Sequence, residues 1–304
     1  MRLRTLIAGL IGLALAGAGA FYALTIPRPA VRGPLPARTP DLANGETMFN
    51  IGGCPSCHAT PKQKDQQRLG GGLALSTPFG TFKVPNISPD EKNGIGAWPE
   101  EAFVNAMLAG IGRDGEHLYP AFPYTSYQRM ALDDVRDLFA FLRTLPAESR
   151  ASEPHELPFP FNVRRGLGLW KLVYLDGKAF TPDAARSAEL NRGAYLVEGP
   201  GHCAECHSPR GVLGGIVAAR RFSGGPDPEG KGWVPNITPH SDGLAAWSAG
   251  DIAYLLKSGF TPDADSVGST MADVVRNTAK LSDADRAAIA TYVKSLPSLP
   301  GRKG

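Results

Sequence analysis

The chain's four cysteines fall in two copies of one pattern, Cys54-Pro55-Ser56-Cys57-His58 and Cys203-Ala204-Glu205-Cys206-His207. This spacing is the attachment signature for c-type haem. Each thiol can form a thioether to a haem vinyl group, and the adjacent His58 or His207 can ligate the iron from one side. A zinc knuckle or a thioredoxin-like redox pair uses similar residues. Zinc takes about four ligands, usually from two clusters at short spacing, whereas these clusters lie about 150 residues apart. A thioredoxin-like pair sits near a βαβ pattern, and none is evident. The motifs predict two covalently bound haem c groups.

The second axial ligand sets the chemistry at each iron, and a Met there raises the reduction potential. The chain has five Met residues. Met1 is the start residue, and Met48 precedes the first motif on the wrong side. Met107 is at helical spacing and matches Leu256 in the second half, as a packing residue would. Met130 and Met271 remain, each ahead of the last helical stretch of its half. Met130 faces Leu281 in the repeat, so the two are not equivalent, and either could simply fill space. Among the other histidines, His202 adjoins a motif, His117 lies in a polar turn expected to be solvated, and His155 and His240 read as hydrogen-bonding residues.

An internal repeat positions these groups. Val84-Pro85-Asn86-Ile87-Ser88-Pro89 answers Val234-Pro235-Asn236-Ile237-Thr238-Pro239, and Gly94 to Trp98 answers Gly243 to Trp247. Asn44-Gly45-Glu46 and Arg192-Gly193-Ala194 open the stretches before the motifs. Helix-like runs end at Gly110 and Gly259, and amphipathic helices run from Asp133 to Leu145 and from Ser282 to Leu296, each stopped by proline. Units of this length are duplicated domains, since solenoid periods run about 20–50 residues. The expected organisation is an anchor at 1–26, a linker at 27–40, domains at 41–146 and 191–298, a connector at 147–190 and a tail at 299–304. The connector's apolar stretch, Phe161 to Leu175, either packs between the domains or forms a docking strip.

Thr5 to Ile26 carries no charge. As a helix it spans roughly 33 Å, enough for a hydrocarbon core of about 30 Å. A cleaved signal peptide is the competitor, with Ala18-Gly19-Ala20 as its small-residue site; the length favours a retained transmembrane helix. Haem attachment outside the bacterial cytoplasm then places the rest of the chain in the periplasm, on the bacterial inner membrane. Net charge is +3 with no long basic run, so nothing points to nucleic acid. No paired carboxylates, activated nucleophile or phosphate loop accompany the motifs. Gly70-Gly71-Gly72 lacks the following Lys-Ser/Thr and reads as a turn.

Taken together, Cys-x-x-Cys-His, Pro-Asn-Ile-(Ser/Thr)-Pro, Gly-x-x-x-Trp and Tyr119-Pro120-Ala121-Phe122-Pro123-Tyr124-Thr125-Ser126-Tyr127 resemble the cytochrome c subunits of periplasmic dehydrogenases. These serve alcohol, gluconate and aldehyde dehydrogenases and molybdenum hydroxylases of the nicotinate and isoquinoline type. The alcohol and gluconate subunits usually carry three haem motifs, whereas this chain has two. The resemblance implies a mainly α fold, an N-terminal transmembrane helix followed by two tandem class I-like cytochrome c domains. It also implies a Met ligand from the loop before each last helix, here Met130 and Met271. Many relatives place Met where this chain has Phe122, which shifts the expected role to Met130. The implied function is electron transfer in the respiratory chain, from a periplasmic dehydrogenase to a terminal oxidase or soluble cytochrome. A peroxidase-like or thiosulfate-oxidising enzyme with one open haem is the alternative. A quinol-oxidising role is a third possibility.

Overall fold

The computed structural model describes residues 2–228 and 232–301. Met1 and the last three residues of the expected tail lie outside that range. Helix α1 (Arg2–Leu24) is exposed from Leu3 to Leu24, and Thr25 beyond it is fully buried.

Two similar halves follow. The first contains α2 (Leu42–Ile51), α3 (Cys54–His58), a hairpin of β1 (Ala74–Thr77) and β2 (Gly80–Lys83), then α4 (Glu100–Ala109), α5 (Tyr124–Tyr127) and α6 (Leu132–Leu142). Connector helix α7 (Leu167–Tyr174) leads to the second half. There α8 (Ala188–Glu198), α9 (Ala204–His207), a short β3–β4 pair (Gly225–Pro226 with Trp233–Val234), α10 (Ala249–Ser258), α11 (Ser269–Thr278) and α12 (Asp283–Lys294) repeat the order. The architecture is mainly helical, as expected, with small hairpins the hydrophobic pattern does not announce.

The helix ends have local causes. Asp41 caps α2 by accepting from the Ala43 and Asn44 N–H groups at 3.0 Å each. Ser187 and Ser282 cap α8 and α12, and Ser248 with Asp251 forms a capping box on α10. Gly110 and Gly259 end α4 and α10 in the left-handed region, at φ 59° and 81°.

In each half the first helix crosses the last, α2 on α6 and α8 on α12. The apolar stripe of α6 supplies Val135, Leu138, Phe139 and Leu142, all buried. Burying a side chain of this kind is worth about 1.5–3 kcal/mol. The crossings close on glycine. A Cβ on Gly45 would lie 2.3 Å from the Asp137 carbonyl oxygen, and one on Gly193 would lie 1.9 Å from that of Ala288. Only a residue without a side chain permits either approach.

Candidate haem sites

The two attachment motifs form α3 and α9, each directly after the helix that crosses the C-terminal helix of its half. Cys54, Cys57, His58, Cys203, Cys206 and His207 are all partly exposed on the walls of their half. Burial pushes the Cys54 thiol up to about 12, with Cys57 adding to the effect, and pushes Cys203 up to about 12.

Each histidine is aimed by a backbone carbonyl. His58 Nδ1 lies 2.8 Å from Pro85 O, and His207 Nδ1 lies 2.9 Å from Pro235 O. A carbonyl only accepts, so Nδ1 carries the proton and Nε2 keeps its lone pair for a metal. Burial lowers His58 to about 4 despite the Pro85 bond, and burial also moves His207 below its ordinary value despite the Pro235 bond. Neutral imidazole is the ligating form.

The repeated Pro-Asn-Ile-(Ser/Thr)-Pro segment exists to hold that carbonyl. Asn86 Oδ1 accepts from the Ser88 N–H at 2.8 Å, while its amide donates to Glu148 O and Arg150 O. Asn236 repeats the pattern toward the Thr238 N–H and Leu299 O. Each segment is thus pinned to the chain beyond the last helix of its half. Gly71, at φ 68°, sends its N–H to His58 O at 2.7 Å, and Gly224, at φ 78°, sends its own to His207 O at 2.8 Å. A Cβ on Gly71 would meet the Pro85 backbone at 2.5 Å. The repeat makes these segments visible in sequence; the role of their carbonyls is not visible there.

The methionines separate. Met271 is partly exposed on α11 and packs against the core edge, as Cys54 and Cys203 do. Met130 is 1 % exposed, inside the core cluster. Its N–H bonds Tyr127 O just before α6; Leu281, 5 % exposed, bonds Thr278 O just before α12. Met107 and Met48 are buried in the core. His117, expected in solvent, is instead 4 % exposed, because its Nε2 bonds Thr25 O at 2.8 Å where α1 ends.

The halves meet through the motifs themselves. Asn277 of α11 donates to Ser56 Oγ in the first motif at 2.8 Å. Thr125 and Ser126, at α5, donate to Glu205 in the second motif at 2.9 and 2.8 Å. Ser56 and Glu205 hold the same place in their motifs, so the contact is reciprocal. Burial alone raises the Glu205 carboxyl, but Arg210, Ser126 and Thr125 together hold it below the usual range. The connector packs between the halves as well. Lys171 donates to Ala109 O and Gly110 O, and Trp170 Nε1 donates to Leu213 O at 2.9 Å. Leu169, Leu172 and Val173 stay exposed on α7.

A pair of helical domains, each presenting a Cys-x-x-Cys-His helix with a carbonyl-held histidine, defines a two-haem c-type protein. The Cytochrome c family model matches residues 42–146 and 190–297, and the chain belongs to that family. It is 49 % identical over 300 residues to a diheme cytochrome c-type protein of Cereibacter sphaeroides, covering 97 % of this chain and 99 % of that one. It is 37 % identical over 269 residues to the fructose dehydrogenase cytochrome subunit of Gluconobacter japonicus, covering 87 % of this chain and 54 % of that protein. A nicotinate dehydrogenase component of Pseudomonas putida is 38 % identical over 260 residues, covering 85 % of this chain and 22 % of that protein. The chain thus spans one relative almost completely and only part of the dehydrogenase components. It binds two haem c groups covalently and transfers electrons rather than catalysing substrate turnover. The peroxidase-like alternative gains no support from these relatives.

Proposed function

We propose that the protein is the electron-transfer component of a dehydrogenase on the bacterial inner membrane, with both haem domains in the periplasm. Electrons enter at one haem from the dehydrogenase, cross to the other, and leave toward a terminal oxidase or a soluble cytochrome. When bound, each haem supplies the one-electron chemistry, and the chain sets its position and surroundings. The observation that carries this reading is the reciprocal contact of each attachment motif with the opposite half, Asn277 to Ser56 and Ser126 to Glu205. Such contacts keep two redox centres side by side without a moving part.

The ligand set we propose is Cys54, Cys57 and His58 for the first haem and Cys203, Cys206, His207 and Met271 for the second. Similarity to the fructose and nicotinate dehydrogenase components supports a dehydrogenase partner; a molybdenum-dependent partner fits the latter resemblance. Retention of α1 as an anchor is supported by its junction with the first domain. Arg165 donates to Thr25 Oγ1 at 2.8 Å and to Tyr22 O at 3.1 Å, and its guanidinium lies 4.5 Å from the Tyr22 ring centre.

The test is to purify the full chain from detergent-solubilised membranes with whatever dehydrogenase accompanies it. Adding that enzyme's substrate should reduce both haems, and oxidised soluble cytochrome should reoxidise them. Haems that stay oxidised beside an active dehydrogenase would refute the assignment.

A further inference from the structure

The connector meets the chain exactly where α1 ends. Arg165 lies in the turn (Arg164–Gly166) that leads into α7, and it reaches back to Tyr22 O and Thr25 Oγ1. Gly168, the second residue of α7, closes the contact. A Cβ there would lie 2.5 Å from the Thr25 Cα, so a side chain would push the two segments apart. The start of α7 is thereby fixed level with the last turn of α1.

Helix α7 then divides into two faces. Gly168 and Lys171 are buried, the lysine with its ammonium on Ala109 O and Gly110 O. Leu169, Leu172 and Val173 are 41, 54 and 70 % exposed. Leu169 and Leu172 follow Arg165 at the four- and seven-residue spacing of one helical face. The face that starts against α1 therefore continues as an apolar stripe. The second half extends it: Trp170 Nε1 donates to Leu213 O, and the side chains of Val212 and Leu213 are exposed. A contiguous apolar surface of this kind marks an interaction site, whereas single exposed residues do not. Its occupant follows from its place. Leu3–Leu24 is long and apolar enough to cross a bilayer, and Tyr22, an aromatic near its end, suits the bilayer–water boundary. The membrane surface that meets Tyr22 also meets α7.

We propose that α7 lies on the membrane surface, with Leu169, Leu172 and Val173 in the boundary between headgroups and acyl chains and Arg165 at headgroup depth. Amphipathic segments bury an apolar face in this way. A single span leaves the domains free to swing about its end, and a second contact beside it holds both haem domains in one orientation over the bilayer. The inference rests on α1 being a retained anchor, which the intact mass of the purified chain checks separately.

The test uses the full haem-loaded chain in nanodiscs of phosphatidylethanolamine and phosphatidylglycerol. All four native cysteines belong to the haem motifs, so one added cysteine can carry a nitroxide. Leu172→Cys places it on the stripe, and Lys280→Cys places it on an exposed polar turn of the second half. The label at 172 should be relaxed more strongly by oxygen, which partitions into lipid, than by a water-soluble nickel chelate, and the order should reverse at 280. Equal chelate access at both positions, in a chain whose mass retains α1, would overturn the proposal. So would protection of position 172 that appears only when a dehydrogenase is added, since a protein partner would then cover the stripe. A mass lacking α1 would overturn the anchor reading and this proposal with it.

Discussion

His202 Nε2 bonds the Gly52 carbonyl oxygen at 3.2 Å, across 150 residues of chain. Each of these residues comes just before a haem-attachment motif, so the bond joins the two haem sites at their roots. Tyr127 OH donates to the same carbonyl at 3.1 Å. Burial lowers the His202 imidazole, and a carbonyl accepts only, so Nε2 carries its proton. Asn277–Ser56 and Ser126–Glu205 add to this tie, and the Tyr195 hydroxyl donates to Asp134 and accepts from the Ala131 N–H at 3.1 Å.

These ties predict coupled unfolding of the halves. Asn277→Ala removes one neutral hydrogen bond, worth about 0.5–1.5 kcal/mol. Ser126→Ala removes a bond to a buried carboxylate, worth about 1.5–3 kcal/mol. The double variant should lose cooperativity, and its guanidinium unfolding should separate into two transitions. Electron exchange between the haems should slow in parallel, as read by flash reduction. A single sharp transition in the double variant would show that the interface is held elsewhere.

Glycine substitutions should act with opposite signs at different sites. Gly193→Ala places a methyl 1.9 Å from the Ala288 carbonyl oxygen, an atom fixed in α12. Overpacking of this kind costs about 1–3 kcal/mol, and a rigid backbone neighbour puts Gly193 at the upper end. Gly250, inside α10, has only Ser248 Oγ nearby, at 3.5 Å. Gly250→Ala should therefore gain about 0.5–1 kcal/mol through helix propensity. Chemical denaturation of both variants checks the pair.

The attachment motifs, the repeat and the class of fold are legible in the residues because haem attachment fixes local spacing and duplication leaves aligned segments. The distal ligand of the first haem is not. Counting from Gly110 and Gly259 pairs Phe122 with Met271, counting back from α6 and α12 pairs Met130 with Leu281, and the two counts differ by two residues. The interface is equally hidden, because Ser56 and Asn277 lie 221 residues apart. His117 misleads for a related reason. Its neighbours Asp114 and Glu116 read as a solvated turn, yet the end of α1 folds back onto it.

Acid should weaken the first half through Asp137. Burial raises this carboxyl, but bonds from Arg38, the Asn44 amide and the Asp41 N–H outweigh it and hold the group below its ordinary 3.8. A carboxyl depressed in the folded state stabilises fully above its unfolded value and loses that contribution as pH falls through the folded one. Stability should therefore decline below about pH 4. Asp137→Asn should flatten that decline and cost about 1.5–3 kcal/mol at neutral pH through the lost charged hydrogen bonds. Thermal melts between neutral pH and pH 3 measure both effects; an unchanged acid slope would remove Asp137 from the account.

Met271 and Met107 offer the sharpest contrast between ligation and packing. Met271 stands at the core edge on α11, and α11 packs against α10 of its own half and against α2 and α3 of the other. If its sulfur closes the second haem, Met271→Ala should lower that haem's potential and turn its iron high-spin, because Met ligation holds the potential high. The first haem should keep its spectrum. Met107 is 5 % exposed in α4, and Met107→Ala should leave both spectra and both potentials unchanged while costing about 2–5 kcal/mol. A redox titration of each variant, paired with the red Met-to-iron absorption of the oxidised protein, separates the two roles. Retention of that absorption in Met271→Ala would show that another side chain closes the second haem.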